Sequence, residues 1–214
     1  MRSTAIDDLS TRARIRDAAV RRFALDGFDV PVRLLAADAG VSAALVIHHF
    51  GSKDALRADC DAYVLRALRE LQARSVVGAS PADVLAELAA VEEHAPLAGY
   101  VVQAVLGGGD LAVAFLDEMA ADAEVALEQG VAAGTIRPSR DPGARARFLV
   151  AVGMGALLVH LRWHPVEDGD LGAALRRYAD VAALPGLELY TEGLLADRGA
   201  LDAYLAGRPP GGTL

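Results

Sequence analysis

Cysteine, lysine and aromatic residues are nearly missing from this chain. Of 214 residues one is a cysteine, Cys60, one is a lysine, Lys53, and only 5% are aromatic. A lone cysteine cannot close an intramolecular disulfide, which fits a reducing cytoplasm. The 53% hydrophobic content is carried mainly by Ala, Leu and Val. That composition favours packed helices over sheet, because strands draw on aromatic and β-branched residues. No eighteen apolar residues follow one another without interruption, so no membrane span is expected. The start, "MRSTAIDDLSTRARIRD", has no apolar stretch between a basic beginning and a cleavage site, so no signal peptide is expected. A soluble cytoplasmic protein is the reading.

Charge is scarce in one sign over most of the length. The net charge is −8, which taken alone argues against nucleic acid. Residues 1–57, however, hold nine Lys and Arg against seven Asp and Glu, while the remainder holds twelve against twenty-two. Any attraction to phosphate is therefore local to the first quarter of the chain.

Hydrophobic spacing places the elements. Ile15, Ala18, Ala19 and Phe23 recur at three- and four-residue intervals, so "TRARIRDAAVRRFALD" reads as a helix with its arginines on the other face and Gly27 as C-terminal cap. Pro31 can open a short helix, Val32 to Ala39, that presents Leu34, Leu35 and Ala39. Ser42 caps a third helix through about His49. Gly51 breaks it, and Ser52 caps a fourth from Lys53 to roughly Ala73. Short helices joined by a glycine-containing turn describe a helix-turn-helix. Further helices are expected from Ser80-Pro81 to about Glu93, from His94 to Leu106, from an Asp110 cap through Gln129, and from Asp141-Pro142 to near His164. A short helix over Leu171 to Ala182, a last amphipathic helix within "LPGLELYTEGLLADRGALDAYLAG" and a disordered tail at 208–214 complete the chain. The expected fold class is all-α, with a three-helix helix-turn-helix domain over 1–53 and a larger helical domain over 54–207.

Residues able to do chemistry are few. Neighbours on a helix point about 100° apart, so His48 and His49 cannot readily share an ion. His160 and His164 have metal-competent i, i+4 spacing without the glutamate of HExxH, and a helical metal-dependent enzyme using them stays as an alternative. Cys60 lies mid-helix with no base nearby, and no serine sits in a G-x-S-x-G elbow. "GGGD" at 107–110 lacks the strand and GK[ST] of a phosphate loop. No catalytic residue, metal or cofactor is expected.

The stretch "RIRDAAVRRFALDGFDVPVRLLAADAGVSAALVIHHFGSKDAL" resembles the DNA-binding region of TetR/AcrR-type transcriptional regulators. Ala18-Ala19, Phe23, Gly27, Ala36, Ala39-Gly40-Val41-Ser42, His48-His49-Phe50 and Lys53 follow the family pattern in order. The resemblance covers roughly residues 12–57; beyond it only helicity and length match. It implies that His49 and Lys53 contact backbone phosphates, together with the N-terminal amides of the helix that Ser52 caps. It also implies that His48 faces the groove or a phosphate and that Val46 and Phe50 are core.

Two departures from the family pattern bear on how DNA is read. Pro31 stands where the family has a Thr-Ser or Thr-Thr cap, with one residue missing. The family's frequent tyrosine in the recognition helix is Ile47, and a common preceding threonine is Leu45. The outward face, Ala43, Ala44, Leu45 and His48 beyond the Ser42 cap, is thus poor in hydrogen-bonding groups. Thymine methyl contacts, Arg33 and DNA shape are left to supply specificity.

For the acidic remainder the resemblance implies a small-molecule effector pocket and a homodimer interface. Pocket candidates are His94, Tyr100, Gln103, Phe115, Met119, His160, Trp163 and His164. The interface would fall around 142–163 and 186–206, where Gly153, Gly155 and Ala156 face Leu187, Leu194, Leu195 and Leu201. Such a dimer would present two recognition helices roughly 34–36 Å apart to a pseudo-palindromic double-stranded operator. The function implied is a ligand-responsive regulator, a repressor released by its effector; a DNA-binding protein without effector is the other reading.

Overall fold

A computed structural model describes residues 2–75 and 94–207, and every regular element among them is an α-helix. In chain order these are α1 (Arg2–Asp26), α2 (Val32–Asp38), α3 (Ala43–Phe50), α4 (Lys53–Ser75), α5 (Ala95–Gly107), α6 (Gly109–Ala132), α7 (Pro142–Trp163), α8 (Leu171–Thr191) and α9 (Gly199–Ala206). The all-α expectation holds. The helix expected from Ser80 to Glu93 and the tail at 208–214 lie outside the described residues.

Caps set the boundaries of the first quarter. Gly27 ends α1 at φ 75°, with its amide donating to the Phe23 carbonyl at 3.0 Å. The Ser42 hydroxyl accepts from the Leu45 amide at 3.2 Å, and the Ser52 hydroxyl from that of Ala55 at 3.0 Å. Pro31 is the N-cap of α2, and this helix buries Leu35 and Ala36 while leaving Leu34 40% exposed. Leu34 was expected on the apolar face, and it is not there.

Two downstream elements differ from expectation for identifiable reasons. Asp110 does not cap α6. Gly108 does, at φ 67° and ψ −164°, a backbone region that only glycine occupies comfortably, and Asp110 lies in the first turn, where its charge favours the helix dipole. Pro185 does not start a new helix; α8 runs through it as one 21-residue element. The missing amide and the carbonyl it strands lie on an exposed stretch, where water can satisfy the carbonyl. Residues 186–206 are consequently the end of α8, a turn and the short α9, rather than a single helix.

One buried cluster joins the helix-turn-helix to the body. Phe23, Tyr100 and Phe115 are fully buried, with ring centroids 6.3 Å apart for Phe23–Tyr100 and 6.4 Å for Tyr100–Phe115. Phe28 closes the group at 5.2 Å from Tyr100. Ile15, Leu35, Val46, Leu56 and Val64 continue the same core through α1–α4, each worth about 1.5–3 kcal/mol of burial. Helix α1 also lies directly on α5. There Gly99 is required for space: a Cβ would collide with Leu171 and come within 3.0 Å of Ala24 Cβ.

Large apolar side chains stay exposed on the later helices of the body. On α7, Phe148 is 66% and Trp163 75% exposed; Leu184, Leu187 and Tyr190 are exposed on α8, and Leu194 and Leu195 in the turn after it. Among the described residues, α7 is the one single helix long and apolar enough to cross a bilayer, with a window of mean hydropathy 1.5 that is only 11% buried.

Candidate nucleic-acid interface

Helices α2 and α3 meet at 99°, inside the range of a helix-turn-helix. Gly40 at φ 66° makes the turn, and the Val41 amide donates back to the Ala36 carbonyl at 2.9 Å. Val46 and Phe50 face the core, as expected. This burial fixes the rotation of α3 and so decides what faces outward: Ala43, Ala44, Ile47 (41% exposed) and His48. Leu45 is half-buried, so Ile47 takes a place on the outward face that the sequence reading gave to Leu45.

Charged and polar groups frame this apolar face. Arg33 on α2 is exposed and makes no hydrogen bond or ion pair among the described residues. Lys53, half-buried at the start of α4, is likewise uncommitted. Ser52 satisfies the Ala55 amide through its hydroxyl and the Leu56 amide through its carbonyl, so the amides of Lys53 and Asp54 are available to an anion. The Asp54 carboxylate in the same turn opposes that attraction. Gly51 at φ 81° turns the chain between the two helices, and the half-buried His49 ring lies 5.6 Å from that of His48.

Three arginines of α1, Arg12, Arg16 and Arg22, are spent on structure, which the periodicity could not show. Arg12 donates to the His49 carbonyl at 2.6 Å and to Asp59 at 2.7 Å, with its guanidinium 4.2 Å from the Phe50 ring centre. Arg16 pairs with Asp17 and lies over the Tyr63 ring at 3.9 Å. Arg22 grips Asp38 through two bonds of 2.6 and 2.7 Å and bonds Asp26 at 2.9 Å. The Arg22 guanidinium holds the Asp38 carboxyl below the usual carboxylate range. These contacts tie α1 to α2, α3 and α4 and fix how the reading face is held.

The effector candidates fall into separate places. Tyr100 and Phe115 are adjacent in the core, and Met119 packs against the same cluster. Burial first, then its bond to Asp61, pushes the Tyr100 phenol upward, while burial raises the Asp61 carboxyl despite that bond. The Tyr100 hydroxyl donates to Asp61 on α4. Gln103 is turned toward α1, donating to the Leu25 carbonyl at 3.4 Å, and His94 is the half-buried N-cap residue of α5. His160 is 5% exposed on α7, with its ring 4.8 Å from His164 and 5.4 Å from Tyr178, while Trp163 and His164 are exposed. The His160/His164 enzyme alternative finds no support: among the described residues no third His, Cys, Asp or Glu joins them as a ligand. Cys60 is buried and its thiol is pushed up by burial and by Asp59 and Asp61, away from reactivity.

A recognition helix held outward by its own core residues and flanked by uncommitted cations defines a helix-turn-helix DNA-binding regulator. Residues 15–60 match the family described as bacterial regulatory proteins, tetR family, and residues 92–196 match the tetracyclin repressor-like C-terminal domain. The chain is 50% identical over 199 residues to the HTH-type transcriptional regulatory protein RaaS of Mycobacterium tuberculosis, covering 93% of each. Similar solved structures include a TetR transcriptional regulator from Chloroflexus aurantiacus, at TM-score 0.59 and 23% identity over 86% of this chain and 97% of that one. Another is SmeT, the repressor of the Stenotrophomonas maltophilia multidrug efflux pump SmeDEF, at TM-score 0.54 and 22% identity over 79% and 89%. SmeT is also solved as a complex with triclosan. The chain belongs to the TetR family of transcriptional regulators.

Proposed function

We propose that the chain represses transcription as a cytoplasmic homodimer on a pseudo-palindromic operator and leaves it when a small molecule binds. The observation that carries this reading is the α3 face, with Ala43, Ala44, Ile47 and His48 outward between Arg33 and Lys53. Methyl-bearing side chains of this kind suit thymine C5-methyl groups, Arg33 suits a guanine edge, and Lys53, His49 and the start of α4 suit phosphates. The apolar surface of α7, α8 and the turn after it supports the dimer, because exposed Phe148, Trp163, Leu184, Leu187 and Leu194 are costly to leave in water. Helix α4 runs from Lys53 in the reader to Ser75 in the body, so a pivot of that helix would change the distance between the two recognition helices. A coupling of about 1–3 kcal/mol, or 5–150-fold in affinity, is enough for release.

Selection of bound sequences from random DNA tests the first half of this reading. Recovered sites should be two half-sites whose centres lie one helical turn apart, and single half-sites or no enrichment would count against a dimeric reader. A metabolite screen for release from the selected site then tests the second half. Sedimentation with the releasing compound and no DNA should show an intact dimer, and a monomer would mean that release works by dissociation.

A further inference from the structure

Two adjoining cavities lie where the reader's first helix meets the body. The larger, about 320 Å³, is bounded by Arg21, Ala24 and Leu25 of α1, Pro96 of α5, and Asp170 and Leu171 at the start of α8. The smaller, about 150 Å³, lies beyond Leu25 and Leu171 and is walled by Val102, Leu106, Leu161, Val166 and Leu175. Ala24, Leu25 and Leu171 line both, and Leu25, 38% exposed, stands between them. The larger volume alone reaches the range of small-molecule sites, roughly 300–1,000 Å³.

We infer that this joint is a binding site for an amphipathic organic anion, with a carboxylate or sulfonate head on Arg21 and an aliphatic or aromatic tail in the apolar chamber behind Leu25. Arg21 is exposed and makes no hydrogen bond or ion pair among the described residues, and the Asp38 carboxylate that it attracts is already held by Arg22. The other charged group there, Asp170, is engaged as a cap, its carboxylate accepting from the Ala173 amide at 2.9 Å. The remaining walls are apolar apart from Gln103, which suits a tail and nothing charged. Of the effector candidates drawn from the sequence, only Gln103 touches either cavity.

Occupancy here would act on the reader directly. Leu171 is seated against Gly99 and Ala24, so α1, α5 and the start of α8 meet there. A tail that displaced Leu171 would push α1 from α5 and carry the helix-turn-helix with it, since Ile15 and Phe23 anchor α1 in the shared core. This site rests on the reading of the chain as a ligand-responsive regulator and gives that reading a ligand class and a place.

Two fluorescent probes separate head from tail: 8-anilinonaphthalene-1-sulfonate and the uncharged N-phenyl-1-naphthylamine. The full-length protein, without DNA, should bind the sulfonate about tenfold more tightly than the neutral probe, the factor expected of one charge-assisted contact. Arg21→Glu, at an exposed position, should erase that preference, and Leu25→Trp should remove binding of both probes. An unchanged preference in Arg21→Glu places the anion elsewhere and overturns the site, whether or not Leu25→Trp folds. With operator DNA present, the sulfonate should weaken the wild-type complex at least fivefold and the Arg21→Glu complex not at all. A protein that binds no DNA in any condition ends the regulator reading but leaves Arg21-dependent probe binding standing. A DNA-binding protein with Arg21-independent probe binding does the reverse.

Discussion

Arg12 reaches from α1 to the end of the recognition helix and donates to the His49 carbonyl at 2.6 Å. The same guanidinium bonds Asp59 of α4 at 2.7 Å and covers the Phe50 ring, so one side chain fixes α3 and α4 relative to α1. It satisfies a carbonyl in the last turn of α3, where no intrahelical donor is left, and its planar fork allows two directed bonds at once.

Arg12→Ala is therefore expected to weaken operator binding about tenfold while leaving the preferred bases unchanged, because Arg12 orients the reading face without reading. Arg12→Lys should recover only part of the loss, since an ammonium cannot hold both partners in the same geometry. Anisotropy titrations against an operator and a set of single-base variants check this. A change of base preference would place Arg12 at the DNA.

Lys53 and Arg33 should separate cleanly. Lys53→Ala is expected to weaken binding to all sequences alike and to lower the slope of log affinity against log salt by about one. Arg33→Ala should instead cost on the order of 1–3 kcal/mol on the preferred operator and little on others, as for a lost bidentate base contact. Titrations at several salt concentrations on specific and random DNA distinguish them, and a uniform loss for Arg33→Ala would reassign it to phosphate.

The Tyr100–Asp61 bond joins α5 to α4 inside the fold, and Asp61 is held above its ordinary carboxylate range by burial. A carboxyl whose folded pKa is raised favours the folded state most when protonated, and that advantage is lost as pH rises through the folded value. Asp61→Asn keeps an acceptor for the Tyr100 hydroxyl and removes the buried charge. The variant should melt at or above the wild-type temperature at pH 7, and its gain should shrink as pH falls toward about 4. Tyr100→Phe should cost about 1–3 kcal/mol in the wild-type background, where it leaves a carboxylate without its donor, and less beside Asp61→Asn. Equal costs in both backgrounds would show that the bond carries no coupling.

His160 has a buried Nε2 with no hydrogen-bond partner among the described residues, and burial, then His164 and Arg177, hold its pKa below the ordinary imidazole value. A histidine with a depressed folded pKa stabilises the fold while neutral, so its contribution is present above about pH 6.5 and lost as pH falls below it. His160→Leu should flatten the loss of melting temperature between pH 7 and pH 5. The same pH slope in both proteins would remove His160 as its source.

The sequence alone determined the helix count and caps of the reader. Short-range chemistry suffices there: Ser42 and Ser52 supply oxygens to amides three residues on, and Gly27, Gly40 and Gly51 take left-handed backbone that other residues avoid. The all-α class was equally legible from composition. Local rules failed at Pro185 and Asp110, where exposure in one case and a glycine's backbone in the other outweighed propensity. They failed again at Leu45 and Ile47, because a helix pattern this short and this apolar leaves its rotation to whichever residues find a core. Only tertiary packing decided that Val46 and Phe50 would turn inward, that the α1 arginines would brace the reader, and that cavities would open where α1 meets α8. Arg12 and His49 are 37 residues apart along the chain and Gln103 and Leu25 are 78 apart, and contacts between such partners leave no mark on a local pattern.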